Sequence, residues 1–229
     1  MILIKFLAMT HPVSFPKNNK RLLCLLLCLL PTLVCAQNLI GVRGGYVLSN
    51  VNFKPEAYPE GLQTAQYFSL RFTHYHAMWN TIHIFGLQVG LDYAEQGFSL
   101  PMYQETTRYK VIEVPVISQF HLDFWKMRLL LNLGGFVGYR LSATLQAPND
   151  KGVLVSGDYV FNCYDKRFDY GFIGGGGLAF RLKAFEIHAE CNYQHSLSML
   201  YNPRKYSNTS LLYVYPNQLI FSLSLFYQL

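Results

Sequence analysis

The sequence predicts an all-β fold: an eight-stranded antiparallel up-and-down transmembrane β-barrel that follows a cleaved signal peptide. Three observations carry this expectation. Apolar and polar residues alternate with period two in segment after segment of residues 37–229, which is the mark of a strand. Tight and long connections alternate, so a meander has its short turns at one end and its long loops at the other. Only 14% of the residues are charged, against roughly 25% in ordinary soluble domains, while Tyr, Phe and Gly number 17 each. That composition excludes a disordered chain and a coiled coil.

Residues 1–36 read as the leader. Lys17, Lys20 and Arg21 precede an apolar run from Leu22 to Val34, and Val34-Cys35-Ala36 places small residues before a cut at Gln37. The run is about 13 residues long, short of the ~20 that a spanning helix needs. Met9 offers a second start within the leader. The formal charge of +6 comes mostly from this segment, which holds Lys5, Lys17, Lys20 and Arg21 and no acid. Taking those four from 19 basic residues leaves 15 against 13 acidic ones, a net of +2. No nucleic-acid partner is expected of a chain so nearly neutral. The leader also carries Cys24, Cys28 and Cys35, leaving Cys163 in a long loop and Cys191 facing outward in mid-strand. Both are expected as thiols, without zinc-ligand spacing.

The strands follow in order at about 39–49, 66–77, 82–96, 107–122, 127–145, 169–183, 185–199 and 213–228. The first carries Arg43 on its polar face, the second Arg71, the third Asp92 and the fourth Glu113. Pro115 within the fourth removes a ladder donor and is expected to mark a bulge. The fifth opposes Leu129, Leu131, Leu133, Val137, Tyr139 and Leu141 to Arg128, Asn132, Gly134, Gly138 and Arg140. The sixth continues from Gly174-Gly175-Gly176-Gly177 to Arg181. The seventh is the clearest, with Phe185, Ile187, Ala189, Cys191 and Tyr193 alternating with Glu186, His188, Glu190, Asn192 and Gln194. The eighth alternates Leu219, Phe221, Leu223, Leu225, Tyr227 and Leu229 with Gln218, Ile220, Ser222, Ser224, Phe226 and Gln228. Turns are expected at 78–81, 123–126 and 183–184, and long loops at 50–65, 97–106, 146–168 and 200–212.

The polar face decides between a lipid-facing and a water-facing barrel. Arg43, Arg71, Asp92, Glu113, Arg128, Arg140, Arg181, Glu186, His188 and Glu190 balance Arg against acid. That balance suits a closed interior in which charges pair. Aromatic residues gather near strand ends (Tyr75, Trp79, Tyr93, Tyr109, Phe124, Trp125, Tyr139, Tyr193 and Tyr227), as membrane girdles do. An eight-stranded barrel is just wide enough for side chains to fill it. Arg43, Glu113, Arg128, Arg140, Glu186 and Glu190 are therefore read as a salt-bridge plug, and an open pore is disfavoured.

Three constellations are weighed as chemistry and set aside, so no catalytic, cofactor-binding or metal-ligating residue is assigned. The glycine run 174–177 lacks the Lys-Ser/Thr and the helix of a phosphate loop, and is read as room for bulky lumen side chains. His74 and His76 share a face with His83 across a turn, an arrangement that could hold a metal but reads as a polar-aromatic girdle beside Trp79. His195 has Ser196 and Ser198 at +1 and +3, on the opposite face of a strand. A lipid hydrolase built on a strand needs them on the same face.

Gly41-Val42-Arg43-Gly44-Gly45, the segment Gly86 to Gly97 ending in Tyr93-Ala94-Glu95-Gln96-Gly97, Ile112-Glu113-Val114-Pro115-Val116 and Leu133-Gly134-Gly135-Phe136-Val137-Gly138-Tyr139 occur in that order. In this series the chain resembles the PorT-type outer-membrane β-barrel family of Bacteroidetes-like Gram-negative bacteria. The resemblance implies an outer-membrane barrel and, as in some members, a link to type IX secretion and gliding machinery. The chain departs from the ending in Phe or Trp of many barrels, closing on Leu229 with Phe226 and Tyr227 nearby.

The function expected is that of a small non-enzymatic outer-membrane barrel with a side-chain-plugged lumen. Its partners would be outer-membrane lipids and envelope or secretion-machinery proteins. They would meet the loops, especially 146–168 with Asp150, Lys151, Asp158, Asp165, Lys166 and Arg167, or the periplasmic turns. Alternatives are a lipid-modifying barrel enzyme and a soluble lipocalin-like lipid binder.

Overall fold

The computed structural model describes residues 37–54, 63–78, 82–100, 104–149, 152–163, 165–201 and 213–229. The leader read at 1–36 lies outside them. Nine strands are present: β1 (Gln37–Lys54), β2 (Gln63–Met78), β3 (Ile82–Leu100), β4 (Glu105–Phe124), β5 (Met127–Pro148), β6 (Leu154–Tyr159), β7 (Phe168–Leu182), β8 (Phe185–Ser196) and β9 (Tyr213–Gln228). Every pairing between them is antiparallel, and β4 pairs with β5 to close β1–β5 and β7–β9 into a ring. Eight strands thus form the barrel as expected, and β6 lies outside the ring on β5.

Two loop expectations are corrected by these pairings. The segment 97–106 is mostly strand, because β3 and β4 stay in register up to Leu100↔Glu105. Within 146–168, Val153-Leu154-Val155 fold back on β5, pairing Leu154 with Pro148 and Tyr159 with Ala143. Asn149 and Gly152 flank the hairpin turn. Gly152 donates its N–H to the Asn149 carbonyl at φ 73°, a left-handed conformation that suits glycine. At the opposite rim the two-residue turns set Trp125 at φ 55° and Lys183 at φ 39°. Hairpin turns of this length require a left-handed residue to match strand twist.

Pro115 does not produce a bulge. The β3–β4 ladder passes from Val89↔Val116 to Asp92↔Glu113 without changing register, and Pro115 stays opposite Phe136 of β5. The shift lies at Lys110/Val111, where β5 has Leu141 as an extra residue. Arg140 and Ala143 both face inward there, with Leu141 and Ser142 between them facing out.

Inward and outward faces differ as the alternation predicts. Leu129, Leu131, Leu133, Val137 and Tyr139 of β5 are exposed on the outside, while Arg128, Asn132 and Arg140 are buried. Near the loop end this polarity inverts. On β4 the inward positions become Val111 and Tyr109, and the outward ones become Lys110 and Arg108. Inward apolar residues from several strands (Val51, Phe98, Tyr109, Val111, Ala143 and Val214) join Leu200, beyond the end of β8, in one buried cluster there. The barrel therefore follows the rule of a lipid-exposed protein through its middle and of a water-exposed one above it.

Candidate functional site

The lumen is the chemically richest region, and it is crossed by a connected polar network. Arg43 of β1 is ion-paired with Glu190 of β8, donates through Nε to Ser224 Oγ of β9 at 2.8 Å, and reaches Gln88 Oε1 of β3 at 3.2 Å. Glu190 accepts from Asn132 of β5 at 2.6 Å and from Asn192 at 3.2 Å. Asn132 accepts from Gln119 of β4 at 3.0 Å, Tyr75 of β2 donates to Gln119 at 2.7 Å, and Gln88 donates to Thr73 of β2 at 3.0 Å. Seven of the eight ring strands contribute. The eighth, β7, supplies space: a Cβ on Gly175 would come within 2.5 Å of Asn192 Oδ1, and one on Gly177 within 2.8 Å of Glu190 Cγ. Gly175 and Gly177 thus have the role expected of the glycine run, while Gly174 and Gly176 meet no lumen side chain.

Toward the tight-turn rim, Arg128 donates through Nε to Asp123 at 2.6 Å, lies 3.5 Å from Glu186 and covers the Tyr75 ring at 4.4 Å. Arg181, at the half-exposed margin, reaches the same Asp123 at 3.1 Å. His188 Nε2 stands 3.0 Å from Glu186, with its ring 4.4 Å from that of Phe226. Toward the loop end, Arg71 pairs with Asp92 at 2.7 Å, and Tyr67 and Ser69 donate to the same carboxylate. Arg140 pairs with Asp169 at 2.5 Å, and Asp169 also accepts from Ser196 and Ser198.

Glu113 is the exception to the expected salt-bridge plug. It is buried, but its two oxygens accept amide N–H groups from Gln96 at 2.6 Å and Gln194 at 2.7 Å, with no cation paired to it among the described residues. Its neighbour Gly138 leaves room for it, since a Cβ there would lie 2.9 Å from Glu113 Cγ.

Above these layers sits the apolar cap. Tyr109 stacks on Phe161, Tyr159 meets Phe161 edge-on, Leu200 closes the cluster, and Tyr109 and Tyr201 approach at their hydroxyls. The space beneath it, beside Ser49, Gln96 and Gln218, is about 10 Å³, barely that of a single water. On the hairpin side, Tyr159 donates to Asp165, and burial together with that carboxylate raises its phenol to about 12. The cap was not foreseen. Its signal was the inversion of pattern around Lys110, which period-two reading treats as a continuation of the same strand.

The other constellations fall on the wall. His74 and His76 point outward near the tight-turn rim, and His74 Nδ1 lies 2.8 Å from Asn38 Oδ1; the His83 side chain lies outside the described residues. His195 faces outward and meets Asn217 Oδ1, whereas Ser196 and Ser198 face inward to Asp169. The separation follows from strand alternation and holds the His195 imidazole on the opposite face from those hydroxyls. Cys163 and Cys191 are both exposed and are not joined in a disulfide.

A family profile described as outer membrane protein beta-barrel domain matches residues 35–202. No curated protein matches the chain. Among solved structures, the chain is similar to the outer membrane protein OprG from Pseudomonas aeruginosa, with 11% identity, 85% of this chain and 96% of that one covered, and a TM-score of 0.48. It is similar to Neisserial surface protein A at 11% identity, with 83% and 97% covered and a TM-score of 0.41. It is also similar to the outer membrane enzyme PagL at 9% identity, with 81% and 97% covered and a TM-score of 0.35.

Proposed function

Because this chain belongs to the outer membrane protein beta-barrel domain family and is an outer-membrane barrel, we propose that it is a non-enzymatic barrel acting through its exposed ends on other envelope proteins. The observation that carries this reading is the filled lumen: a hydrogen-bonded network touching seven strands lies beneath an aromatic cap. A barrel so packed supports a role in recognition rather than in passage of solutes. Short turns of such barrels face the periplasm and longer loops the exterior. On that orientation the β5–β6 hairpin projects outward, with Val153, Leu154, Val155 and Val160 exposed. β6 also has an unshared edge among the described strands, the kind of surface that accepts a partner strand. The PorT-type resemblance supports a partner in the envelope or type IX secretion machinery.

The test is photo-crosslinking in intact cells from Val155 and Val160, and separately from the periplasmic Lys183. A discrete protein adduct from one end is expected. Adducts from neither end, or stepwise conductance by the purified barrel in planar bilayers, would overturn the reading. His195→Ala should leave the envelope lipid profile unchanged, and an altered profile would count equally against it.

A further inference from the structure

The outer wall has three depressions, one above another along the strands, the lowest reaching from β3 across β1 to β9 and β8 and the uppermost to β6. The lowest is an apolar groove of about 650 Å³ bordered by Ile40, Val42, Leu70, Phe72, Val89 and Leu91. Next is a depression of about 350 Å³ among Tyr46, Gln66, Phe68, Tyr93 and Glu95. The third, about 270 Å³, lies among Glu95, Arg108, Lys110, Thr144, Gln146 and Ser156. Successive outward residues of β3 link them: Val89 and Leu91 border the first, Tyr93 the second, and Glu95 both the second and the third. The seven strand residues from Val89 to Glu95 span ~20 Å, about an acyl chain with the start of its headgroup.

The chemistry changes along this track as a lipid does. Apolar walls give way to the phenol-bearing rings of Tyr46 and Tyr93, residues that favour the membrane interface, and then to cations and hydroxyls. Arg108 and Lys110 lie on the same outward face of β4 as Ile112, Val114 and Val116, directly above that apolar row. Neither side chain makes a hydrogen bond or ion pair among the described residues. They stand at the level where the inward face turns apolar, hence at the headgroups of the outer leaflet. A cation held there without a carboxylate partner attracts phosphate.

We propose that this track is a binding site for one anionic lipid of the outer leaflet, one whose phosphate carries no attached cationic group. Its chains lie in the groove of β1–β3, its phosphate rests on Arg108 and Lys110, and Thr144, Gln146 and Ser156 supply further polar contacts to the headgroup. Glu95, opposite Lys110 in register, lines the same depression and weakens the attraction.

The experiment is native mass spectrometry of the full-length barrel from phosphatidylcholine nanodiscs containing a minor fraction of phosphatidic acid. The wild type is expected to retain one phosphatidic acid. Arg108→Gln with Lys110→Gln should lower that retention about 30-fold, from two interfacial charges, and leave phosphatidylcholine retention unchanged. Glu95→Gln should raise it several-fold, a gain that misfolding cannot imitate. Leu91→Trp, which fills the groove, should lower it as well. Unchanged retention in the Arg108/Lys110 double variant, or equal loss of phosphatidylcholine, would overturn the proposal. So would displacement of the lipid by inorganic phosphate at equal concentration, which would make this an anion site that needs no lipid.

Discussion

Glu190→Gln is the substitution that weighs the lumen network most directly. The change keeps the shape of the side chain but removes the carboxylate paired with Arg43, and Arg43 is only 1% exposed. Its neutral acceptors, Ser224 and Gln88, stay in place, and Asn132 and Asn192 lose the charged oxygen to which both donate. Removing one member of a buried ion pair costs about 3–5 kcal/mol. That is a large share of a total stability of about 5–15 kcal/mol. Reversible urea unfolding in lipid vesicles, followed by the shift in gel mobility between folded and unfolded barrel, measures it. The double variant Arg43→Met/Glu190→Leu should recover most of the loss, because an apolar pair leaves no charge unpaired. A cost below about 1 kcal/mol for Glu190→Gln, the level of an ordinary surface change, would refute the assignment of this pair as the centre of the plug. A double variant no better than the single one would do the same.

Glu113→Gln should change stability by less than about 1 kcal/mol in the same assay, since no cation loses its partner and amides can reorient; a cost matching that of Glu190→Gln would show an unrecognised charge beside it. Gly175→Ala and Gly177→Ala should each destabilise by about 1–3 kcal/mol through overpacking. Gly174→Ala, whose Cβ would meet nothing nearer than Leu133 Cδ2 at 3.7 Å, should be tolerated. Tyr159 should ionise near pH 12, seen by ultraviolet titration as the difference between wild type and Tyr159→Phe. Because its folded value lies above the ordinary 10, its contribution to holding the hairpin is complete below pH 10 and is lost as the pH rises toward 12.

How much of this was legible in the sequence depends on range. Strand alternation is local, so the outward row Leu129–Leu131–Leu133 and the inward row Glu186–His188–Glu190 could be read directly. Their pairing could not. Arg43 and Glu190 stand 147 positions apart, and only barrel closure and register bring them together. Counting charges by face left Glu113 among the salt bridges, because a count does not say which carboxylate faces a cation. The expected bulge failed for a related reason. A proline lacks a donor, but its register is set by both neighbouring ladders, and those hold Pro115 in step while Leu141 takes up the extra residue. The cap escaped because inward residues change from polar to apolar within one uninterrupted strand, where the surrounding medium changes and the backbone does not.

The reach of the Arg43 network also constrains how the barrel can be assembled. Arg43 lies on the first strand, while its partners Glu190 and Ser224 lie on the last two. An open sheet laid into lipid would present that guanidinium and that carboxylate to hydrocarbon from opposite ends of the chain. Only joining β1 to β9 brings them into contact. Partly inserted hairpins are therefore penalised twice, by bare strand edges and by unmatched charge. The interior that plugs the finished barrel thus favours insertion as a single closing event.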